Sequence, residues 1–400
     1  MTAPAPDVLS WVKDHAPIYT EIRQSIHQQP ELGYEEFRTS ALVADKLESW
    51  GYTLERDIAG TGFVAQLRRG RGSRSLGIRA EMDALPIAEL NALPYASARP
   101  GVMHACGHDG HTTMAFFAAD YIARHVDFDG TLNLIFQPAE EGLFGALRMI
   151  EQGLFERYPC DAVYAMHNLP GLSAGKLHFR DGAHMASGDT VSVKLQGRGG
   201  HGAMPHMAAD PTVAAASIVM ALQTVVSRNT DPQHAVVVSV GELHAGTASN
   251  IIPDQAHIKL TVRALDRQAR DMVEQRIKDI IAAQAQSFGV TAEVDYQRGY
   301  PVLVNSPAET EFARKVARGL FGAEGVEPMG QPVMASEDFA FMLERVPGCY
   351  MFIGNGTHIA EGGCSVHNPH YDFNDRLLPI GAAFWAELVR QYLDPGQALA

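Results

Sequence analysis

Short apolar strands alternate with amphipathic helices in the first half of the chain, and this alternation restricts the possible folds more than any other sequence feature. Strands are predicted at 75–80, 131–136 and 161–166, and helices at 7–13, 18–28, 35–50, 112–124 and 145–152. The same alternation of helices and strands returns after residue 299, with a helix at 307–320, a strand at 349–353 and a last helix at 378–392. Such alternation predicts an α/β domain with a mostly parallel, buried sheet.

The middle of the chain has a different pattern. Strands are predicted at 191–195, 235–241, 257–264 and 291–296, with helices at 212–227 and 268–288. The resulting order, βαββαβ, is that of a ferredoxin-like α+β unit. We therefore expect one α/β domain at 1–186 and 299–400, interrupted by a ferredoxin-like domain at 187–298 that acts as a lid or dimerisation domain.

Polar residues follow each predicted strand of the first domain. Asp83 follows the strand at 75–80, Glu140 and Glu141 follow the strand at 131–136, and His167 follows the strand at 161–166. The carboxyl ends of parallel strands meet at one edge of a sheet, where ligands bind in such folds. We therefore expect these side chains to lie close together.

A cluster of metal-binding residue types precedes the helix predicted at 112–124. His104, Cys106, His108 and His111 fall within eight residues. Thiolate, imidazole and carboxylate groups are the usual ligands of zinc, and they also bind cobalt, nickel or manganese. Paired Cys-x-x-Cys elements, typical of structural zinc sites, are absent from the sequence. The pattern favours a catalytic metal site with open coordination positions.

The adjacent carboxylates Glu140 and Glu141 support this interpretation. Two neighbouring carboxylates repel each other unless a positive charge lies between them, and a metal ion would remove that cost. One of them could then bind the metal while the other takes a proton from water.

Charge and composition exclude several classes of function. The formal net charge of −14 argues against nucleic acid or an anionic membrane as the main partner. The longest apolar run, 213–222, is shorter than a membrane helix requires. Four irregularly spaced cysteines and an N-terminus without signal-peptide features predict a cytoplasmic protein. A GxGxxG match at 197–202 lacks a helix directly after it, and a GxSxG match at 171–175 precedes a strand, so neither predicts its usual site.

Eight segments, in this order along the chain, resemble one known family. They are RAEMDALP (79–86), MHACGHDGH (103–111), QPAEEG (137–142), HN (167–168), GGHGAMP (199–205), SNIIP (249–253), SEDF (336–339) and VHNP (366–369). Together they resemble the metal-dependent amidohydrolases related to hippurate hydrolase, N-acyl-amino-acid amidohydrolase and the plant indole-3-acetyl-amino acid hydrolases. The resemblance extends from about residue 23 to residue 378.

The resemblance implies a metallopeptidase-type catalytic domain that binds two divalent metal ions per subunit. Its implied metal ligands are Cys106, His108, Glu141, His167 and His367, with Cys106 shared between the ions.

The resemblance also implies roles for residues that do not bind metal. Glu140 would be the general base, and Asp83 would orient a ligand. His201 and Asn250 would contact the substrate, with His201 at the oxyanion, either in its own or in a neighbouring subunit of a dimer or tetramer. His206 and His370 have no assigned role.

These observations predict hydrolysis of an N-acyl or N-aroyl amino acid to a carboxylic acid and a free amino acid. Two alternatives remain open: an exopeptidase that cleaves dipeptides, and a non-catalytic metal-binding protein. The acyl group, the amino acid, the oligomeric state and the physiological metal are not determined by the sequence.

Overall fold

The computed structural model describes residues 6–394 and residue 396. The chain forms two compact units. The first unit comprises the chain up to Gly182 together with Asn305–Gly330 and the residues from Phe341 onward. The second comprises Ala183–Val304 and Gln331–Ala340, so it includes a segment near residue 335 that the sequence analysis assigned to the catalytic domain.

Ten helices and sixteen strands make up the described part of the chain. The helices are α1 (Val8–Gln28), α2 (Phe37–Ser49), α3 (His108–His125), α4 (Gly145–Glu151), α5 (Leu154–Arg157), α6 (Pro211–Thr224), α7 (Arg267–Ser287), α8 (Pro307–Phe321), α9 (Phe339–Leu343) and α10 (Leu377–Tyr392). The strands are β1 (Thr53–Ile58), β2 (Gly62–Arg69), β3 (Ser75–Glu81), β4 (Gly130–Gln137), β5 (Ala162–Pro170), β6 (Leu177–Phe179), β7 (Gly182–Met185), β8 (Asp189–Gln196), β9 (Gly200–His201), β10 (Val236–Ala245), β11 (Ile251–Ile252), β12 (Gln255–Ala264), β13 (Thr291–Arg298), β14 (Leu303–Asn305), β15 (Val326–Pro328) and β16 (Gly348–Gly356).

The first unit is built on an eight-stranded sheet with the order β1-β2-β4-β3-β5-β16-β6-β15. The four central strands, β4, β3, β5 and β16, run parallel to one another. Every residue of β3, β4 and β16 is buried, as expected for strands covered on both faces. The expected α/β class with a mostly parallel central sheet is confirmed.

Helices α1, α3 and α10 pack against one another in the first unit. Their buried faces, which include Phe117 on α3 and Trp385 on α10, join the main apolar core. This packing anchors the first turn of α3 beside the carboxyl end of β3, because α3 also contacts that strand.

Helices α1 and α3 and strand β5 have different bounds from those predicted from the sequence. Helix α1 is continuous through Pro17, because Val12, Tyr19 and Ile26 are buried along its length. Helix α3 begins at His108 rather than at residue 112, so His108 lies in its first turn. Strand β5 continues through His167 to Pro170, because it pairs with β16 along that whole length.

The second unit contains the four-stranded antiparallel sheet β10-β12-β8-β13. Strands β8, β10, β12 and β13 with helices α6 and α7 follow the predicted βαββαβ order, and this sheet order is that of a ferredoxin-like unit. Both helices contribute to a separate apolar core with the sheet.

Helix α6 and the π-helical turn after it, Val225–Asn229, form one apolar stretch. Among the described residues, this stretch is the one helix long and apolar enough to cross a membrane, with a mean hydropathy of 1.2. Its side containing Ile218 and Leu222 belongs to the core of the second unit. Val213 and Met220 lie outside that core and are 51% and 71% exposed.

Candidate metal centre

Asp83 lies two residues beyond the end of β3 and is almost completely buried. Its Oδ2 atom accepts a hydrogen bond of 2.9 Å from the Glu141 backbone N–H. Its Oδ1 atom lies 3.0 Å from Nδ1 of His108. Burial alone would raise the pKa of Asp83, but the bonds from His108 and from the backbone N–H groups of Glu141 and Glu140 outweigh burial and lower it. Asp83 therefore connects two segments that carry predicted metal ligands.

His108 presents one ring nitrogen to Asp83 and leaves the other available. Nδ1 lies 2.9 Å from the Asp83 carbonyl oxygen, whereas the buried Nε2 has no hydrogen-bond partner within the described part of the chain. Burial would lower the pKa of His108, but Asp83 and the charges of Glu81 and Glu141 raise it to about 10. A buried nitrogen without a partner, surrounded by negative charge, fits a bound cation.

Cys106 and His108 face the same point because of the residue between them. Gly107 has φ +94°, a left-handed conformation that glycine adopts without strain, and it caps the N-terminus of α3. A Cβ atom at this position would lie 2.2 Å from Oδ1 of Asn168 and 2.6 Å from the Tyr371 hydroxyl oxygen. Both the conformation and the available space therefore require glycine here.

The Cys106 sulfur lies 3.3 Å from Nε2 of His167. Burial, followed by the negative charges of Glu141 and Glu140, raises the pKa of the Cys106 thiol well above its usual value. A bound divalent cation has the opposite effect, because a coordinating thiol loses its proton. A bound metal ion would therefore favour the thiolate form of Cys106.

Glu140 and Glu141 lie in the turn after β4, where the side chain of Glu36 supports the backbone. Glu36 Oε1 accepts a 2.8 Å hydrogen bond from the Ala139 N–H, and Ala139 itself has φ +53°. Glu140 is 6% exposed. The ligand atoms of Cys106, His108 and Glu141 all lie within 4.8 Å of one another.

His167 occupies the last fully buried part of β5. Its Nδ1 atom lies 2.6 Å from the Asn168 carbonyl oxygen, so Nε2 faces the Cys106 sulfur. Burial, followed by the charge of His111, lowers the pKa of His167 well below its usual value. A neutral imidazole is the form that binds metal.

His367 reaches this region from a loop far along the chain. Its backbone N–H donates a 2.7 Å hydrogen bond to the carbonyl oxygen of Ala105, and its φ is +63°. Its ring Nε2 lies 3.1 Å from Oε1 of Glu141, and the side chain is half exposed. No local pattern distinguishes His367 from the other histidines, so only the family resemblance identified it.

A second group of possible ligands overlaps the first. Glu81, His108, His111 and His167 offer atoms that all lie within 4.8 Å of one another, and all four are buried. The sequence analysis named His111 only as a member of the histidine cluster and gave Glu81 no role. The available signals were the position of His111 three residues after His108, on the same face of α3, and that of Glu81 two residues before Asp83.

The two predicted substrate residues lie together in the second unit. Strands β9 and β11 pair so that His201 is opposite Ile251, and the Gly202 N–H donates a 2.8 Å hydrogen bond to the Asn250 carbonyl oxygen. His201 and Asn250 are both exposed.

The two histidines without an assigned role are His206 and His370. His206, in the second unit, lies in an exposed 3-10 turn. His370, in the first unit, donates its backbone N–H to Asn368 Oδ1 over 2.9 Å. Neither belongs to a ligand group of the described residues.

Comparison with known proteins gives a consistent result. Residues 77–391 match the model of peptidase family M20/M25/M40. The chain is 46% identical over 375 residues to a hippurate hydrolase of Campylobacter jejuni, covering 94% of this chain and 96% of that protein. It is 37% identical to an IAA-amino acid hydrolase of Arabidopsis thaliana, covering 93% of this chain and 85% of that protein. The crystal structure of the Bacillus subtilis YXEP protein, a dinuclear metal-binding peptidase of the M20 family, is similar with a TM-score of 0.82 and 30% identity, over 95% of this chain and 99% of that chain.

Proposed function

The chain belongs to peptidase family M20/M25/M40, and we propose from this membership that it is a metal-dependent amidohydrolase acting on N-acyl amino acids. The resemblance drawn from the eight sequence segments is confirmed. The products are a carboxylic acid and a free amino acid. The observation that carries this proposal is the group formed by buried Cys106 and His108 with partly buried Glu141, which provides three different metal-binding side chains whose ligand atoms lie within 4.8 Å of one another.

The proposal includes two divalent metal ions per subunit, held by Cys106, His108, Glu141, His167 and His367. Two features support two ions. Cys106 lies near Glu141 and His108 in one group of possible ligands and near His167 in the other, so it could contact both ions. One structural relative is described as dinuclear. The mixture of thiolate, imidazole and carboxylate suits zinc, manganese, cobalt or nickel.

Glu140 is proposed as the general base. Bound metal would polarise the amide carbonyl and make water more acidic. Glu140 then accepts the proton from the attacking water and returns it to the nitrogen of the leaving amino acid. The position of Glu140 next to the proposed ligand Glu141, in the turn after β4, supports this role.

Asp83 is proposed to position His108 rather than to react. Its bonds to His108 Nδ1 and to the Glu141 N–H support this role. A carboxylate that holds the outer nitrogen of a metal-binding histidine fixes the direction of the ring and increases its basicity.

His201 and Asn250 are proposed to contact the substrate, with His201 stabilising the oxyanion. Their adjacent positions on the exposed β9–β11 pair support a shared role. Activity of mixed oligomers, formed from a His201→Ala chain and a Glu140→Gln chain, tests whether His201 acts in a neighbouring subunit. Recovery of activity on mixing requires action between subunits, whereas no recovery requires action within one.

A homo-oligomer, dimer or tetramer, is also proposed. Helix α6 and the π-helical turn after it expose the apolar side chains of Val213, Met220 and Val226, and exposed apolar patches are typical of protein interfaces. Light scattering of the wild-type chain and of Met220→Glu tests this. A wild-type monomer would contradict the proposal, and a smaller assembly in the variant would place α6 in the interface.

A cytoplasmic location is proposed on the state of the cysteines. All four, Cys106, Cys160, Cys349 and Cys364, are free thiols. Free thiols are typical of proteins in reducing compartments. Detection of the native protein in a fractionated source cell tests this, and recovery outside the cytoplasmic fraction would contradict it.

A panel of N-acyl amino acids and dipeptides tests the function directly. Free amine release is measured for benzoyl-, acetyl- and indoleacetyl-amino acids and for unblocked dipeptides, after chelation and with each metal added back. Turnover of the acylated compounds that depends on added metal supports the proposal. Exclusive cleavage of dipeptides would favour the exopeptidase alternative, and metal binding without any turnover would favour the non-catalytic one.

A further inference from the structure

Glu81 lies at the centre of a buried polar network beside the metal-binding groups. It is 0% exposed. Its Oε2 atom accepts a 2.7 Å hydrogen bond from Nη1 of Arg79, and its Oε1 atom lies 2.6 Å from Nδ1 of His111. Arg79 is buried as well, so this is a fully buried ion pair joined to a histidine. Such pairs contribute little to stability by themselves and require complete hydrogen bonding.

The network extends from His111 to the end of β5. The Asn168 backbone N–H donates a 3.0 Å hydrogen bond to Nε2 of His111. The same Nε2 also lies 2.8 Å from the side-chain Oδ1 atom of Asn168, while Nδ1 lies beside Glu81. Both nitrogens of His111 therefore have protein partners. His111 could bind a metal only by giving up one of these bonds, and this distinguishes it from His108.

Two further connections reach the remaining ligand segments. Nε of Arg79 donates a 2.8 Å hydrogen bond to Oε1 of Gln137, the last residue of β4 and three residues before Glu140. The side-chain amide of Asn168 donates a 2.7 Å hydrogen bond to the Tyr371 hydroxyl oxygen. The Tyr371 backbone N–H in turn donates to the carbonyl oxygen of Asn368, the residue after His367.

The network thus contacts every segment that carries a proposed ligand. At the ends of two strands, Glu81 precedes Asp83, and Gln137 precedes Glu140 and Glu141. On α3, His111 follows His108. In the remaining two segments, Asn168 follows His167 and Tyr371 follows His367. It also lies close to the Cys106–His108 turn, since Asn168 and Tyr371 occupy the space that a side chain on Gly107 would need.

We propose that His111 is a positioning residue of the metal centre, which acts through Glu81 and Asn168 to hold His167 and the neighbouring ligand segments at the separation that metal binding requires. This inference rests on the proposed metal-dependent function. Its physical basis is that His111 joins the carboxyl ends of β3 and β5, two strands that deliver side chains to the same centre. The ring of His111 also lies 4.4 Å from the ring of His167, measured between centroids.

The test replaces the ring by one of similar shape without hydrogen bonds. His111→Phe is compared with His178→Phe, a matched substitution of a buried histidine on β6, near Glu327 and two strands from β5 in the sheet. Cobalt(II) affinity is measured by competition with a chelator, and the visible spectrum of the cobalt-loaded chains reports the ligand geometry. Circular dichroism of the metal-free chains shows whether each variant folds.

We expect His111→Phe to fold, to bind cobalt about 10–100-fold more weakly and to change the cobalt spectrum, because outer partners of metal ligands typically have effects of this size. We expect His178→Phe to keep the affinity and spectrum of the wild type. A folded His111→Phe chain with wild-type affinity and spectrum would overturn the inference.

A milder variant decides the question if His111→Phe does not fold. Tyr371→Phe removes only the hydroxyl that pairs with Asn168. A severalfold loss of cobalt affinity in this variant would support the inference. Unchanged cobalt affinity would overturn it. Failure of the wild-type chain to bind cobalt at all would overturn the proposed function and the inference together. Wild-type binding with no effect of either variant would overturn the inference alone.

Discussion

The Cys106 sulfur lies 3.3 Å from Nε2 of His167, although 61 residues separate them in sequence. Cys106 precedes a helix and His167 lies within a strand, so their contact depends on how α3 packs against the central sheet. The contact joins the group containing Cys106, His108 and Glu141 to the side of the centre that contains His167.

Exchange of each carboxylate in the Glu140–Glu141 pair for its amide separates their roles. Glu140→Gln is expected to keep its metal and to lose about 10²–10⁴-fold in kcat, the usual contribution of a general base. Glu141→Gln is the matched control and is expected to lose metal during dialysis, because the proposed coordinating carboxylate is replaced by an amide, which is a weaker ligand. Metal content by elemental analysis and steady-state rates measure the two effects. The opposite pattern would mean that the two roles are exchanged.

Alanine at Gly107 is expected to weaken metal binding and folding together. The left-handed backbone alone costs about 1–3 kcal/mol for a residue with a side chain, and the new Cβ would also collide with Asn168 and Tyr371. Gly101 is the matched control, because it has φ +80° and nothing within 4 Å of the position of a Cβ. Denaturant unfolding and cobalt titration compare the two. Equal losses in Gly107→Ala and Gly101→Ala would show that the close approach of Asn168 is unimportant.

Removal of the buried charge of Arg23 is expected to destabilise the first unit. Arg23 is 0% exposed and forms ion pairs with Asp109, Asp372 and Asp375. Arg23→Met removes the positive charge that these three carboxylates share, and we expect a loss of about 3–5 kcal/mol in the free energy of unfolding.

The exposed pair between Arg56 and Asp45 provides the control, since Arg56→Met should cost less than about 1 kcal/mol. All three tryptophans, Trp11, Trp50 and Trp385, lie in the first unit, so their fluorescence during urea unfolding reports this unit. A loss for Arg23→Met no larger than that for Arg56→Met would contradict the prediction.

The stability of the first unit is expected to fall as pH rises through the range in which His27 titrates. Burial would lower the pKa of His27, but hydrogen bonds to Asp109 and Glu89 outweigh burial and raise it from 6.5 to about 9. A raised histidine pKa stabilises the fold fully below pH 6.5, and this stabilisation is lost progressively up to about pH 9. Complete loss of this stabilisation lowers the free energy of unfolding by about 3 kcal/mol.

Urea unfolding of the metal-free chain between pH 6 and pH 10 measures this effect. We expect His27→Gln to reduce the pH dependence in that interval, with the raised pKa of His108 causing part of the remainder, and His358→Gln, at an exposed position, to leave it unchanged. Parallel pH profiles for the wild type and His27→Gln would show that another group is responsible.

Local patterns were sufficient to predict most elements of both units. The buried strands β3, β4 and β16 are short segments rich in apolar residues, and the βαββαβ order of the second unit follows from strand and helix periodicity alone. The edge strand β1 and its neighbour β2 were not predicted, because residues such as Glu55, Arg56 and Arg68 interrupt the apolar pattern near the margin of the sheet.

The candidate site was predictable where its residues follow strands. Asp83, Glu140 and Glu141 directly follow β3 and β4, so the rule for parallel sheets places them at one edge. Cys106 and His108 were recognised by residue type and spacing. The proposed assignment of base and ligand within the Glu140–Glu141 pair came from the family resemblance, because adjacent carboxylates look alike in sequence.

The sequence by itself determined the order of strands and helices and the kinds of side chain delivered to the edge of the sheet, since both depend on residues close together in the chain. Only the tertiary structure decided that His367 meets Glu141 and that His111 pairs with Glu81 instead of remaining available for metal, as Nε2 of His108 does. The physical reason is that a ring nitrogen can be recognised as occupied or available only when its partners are in place. Those partners come from segments that meet only after the sheet and its helices have packed.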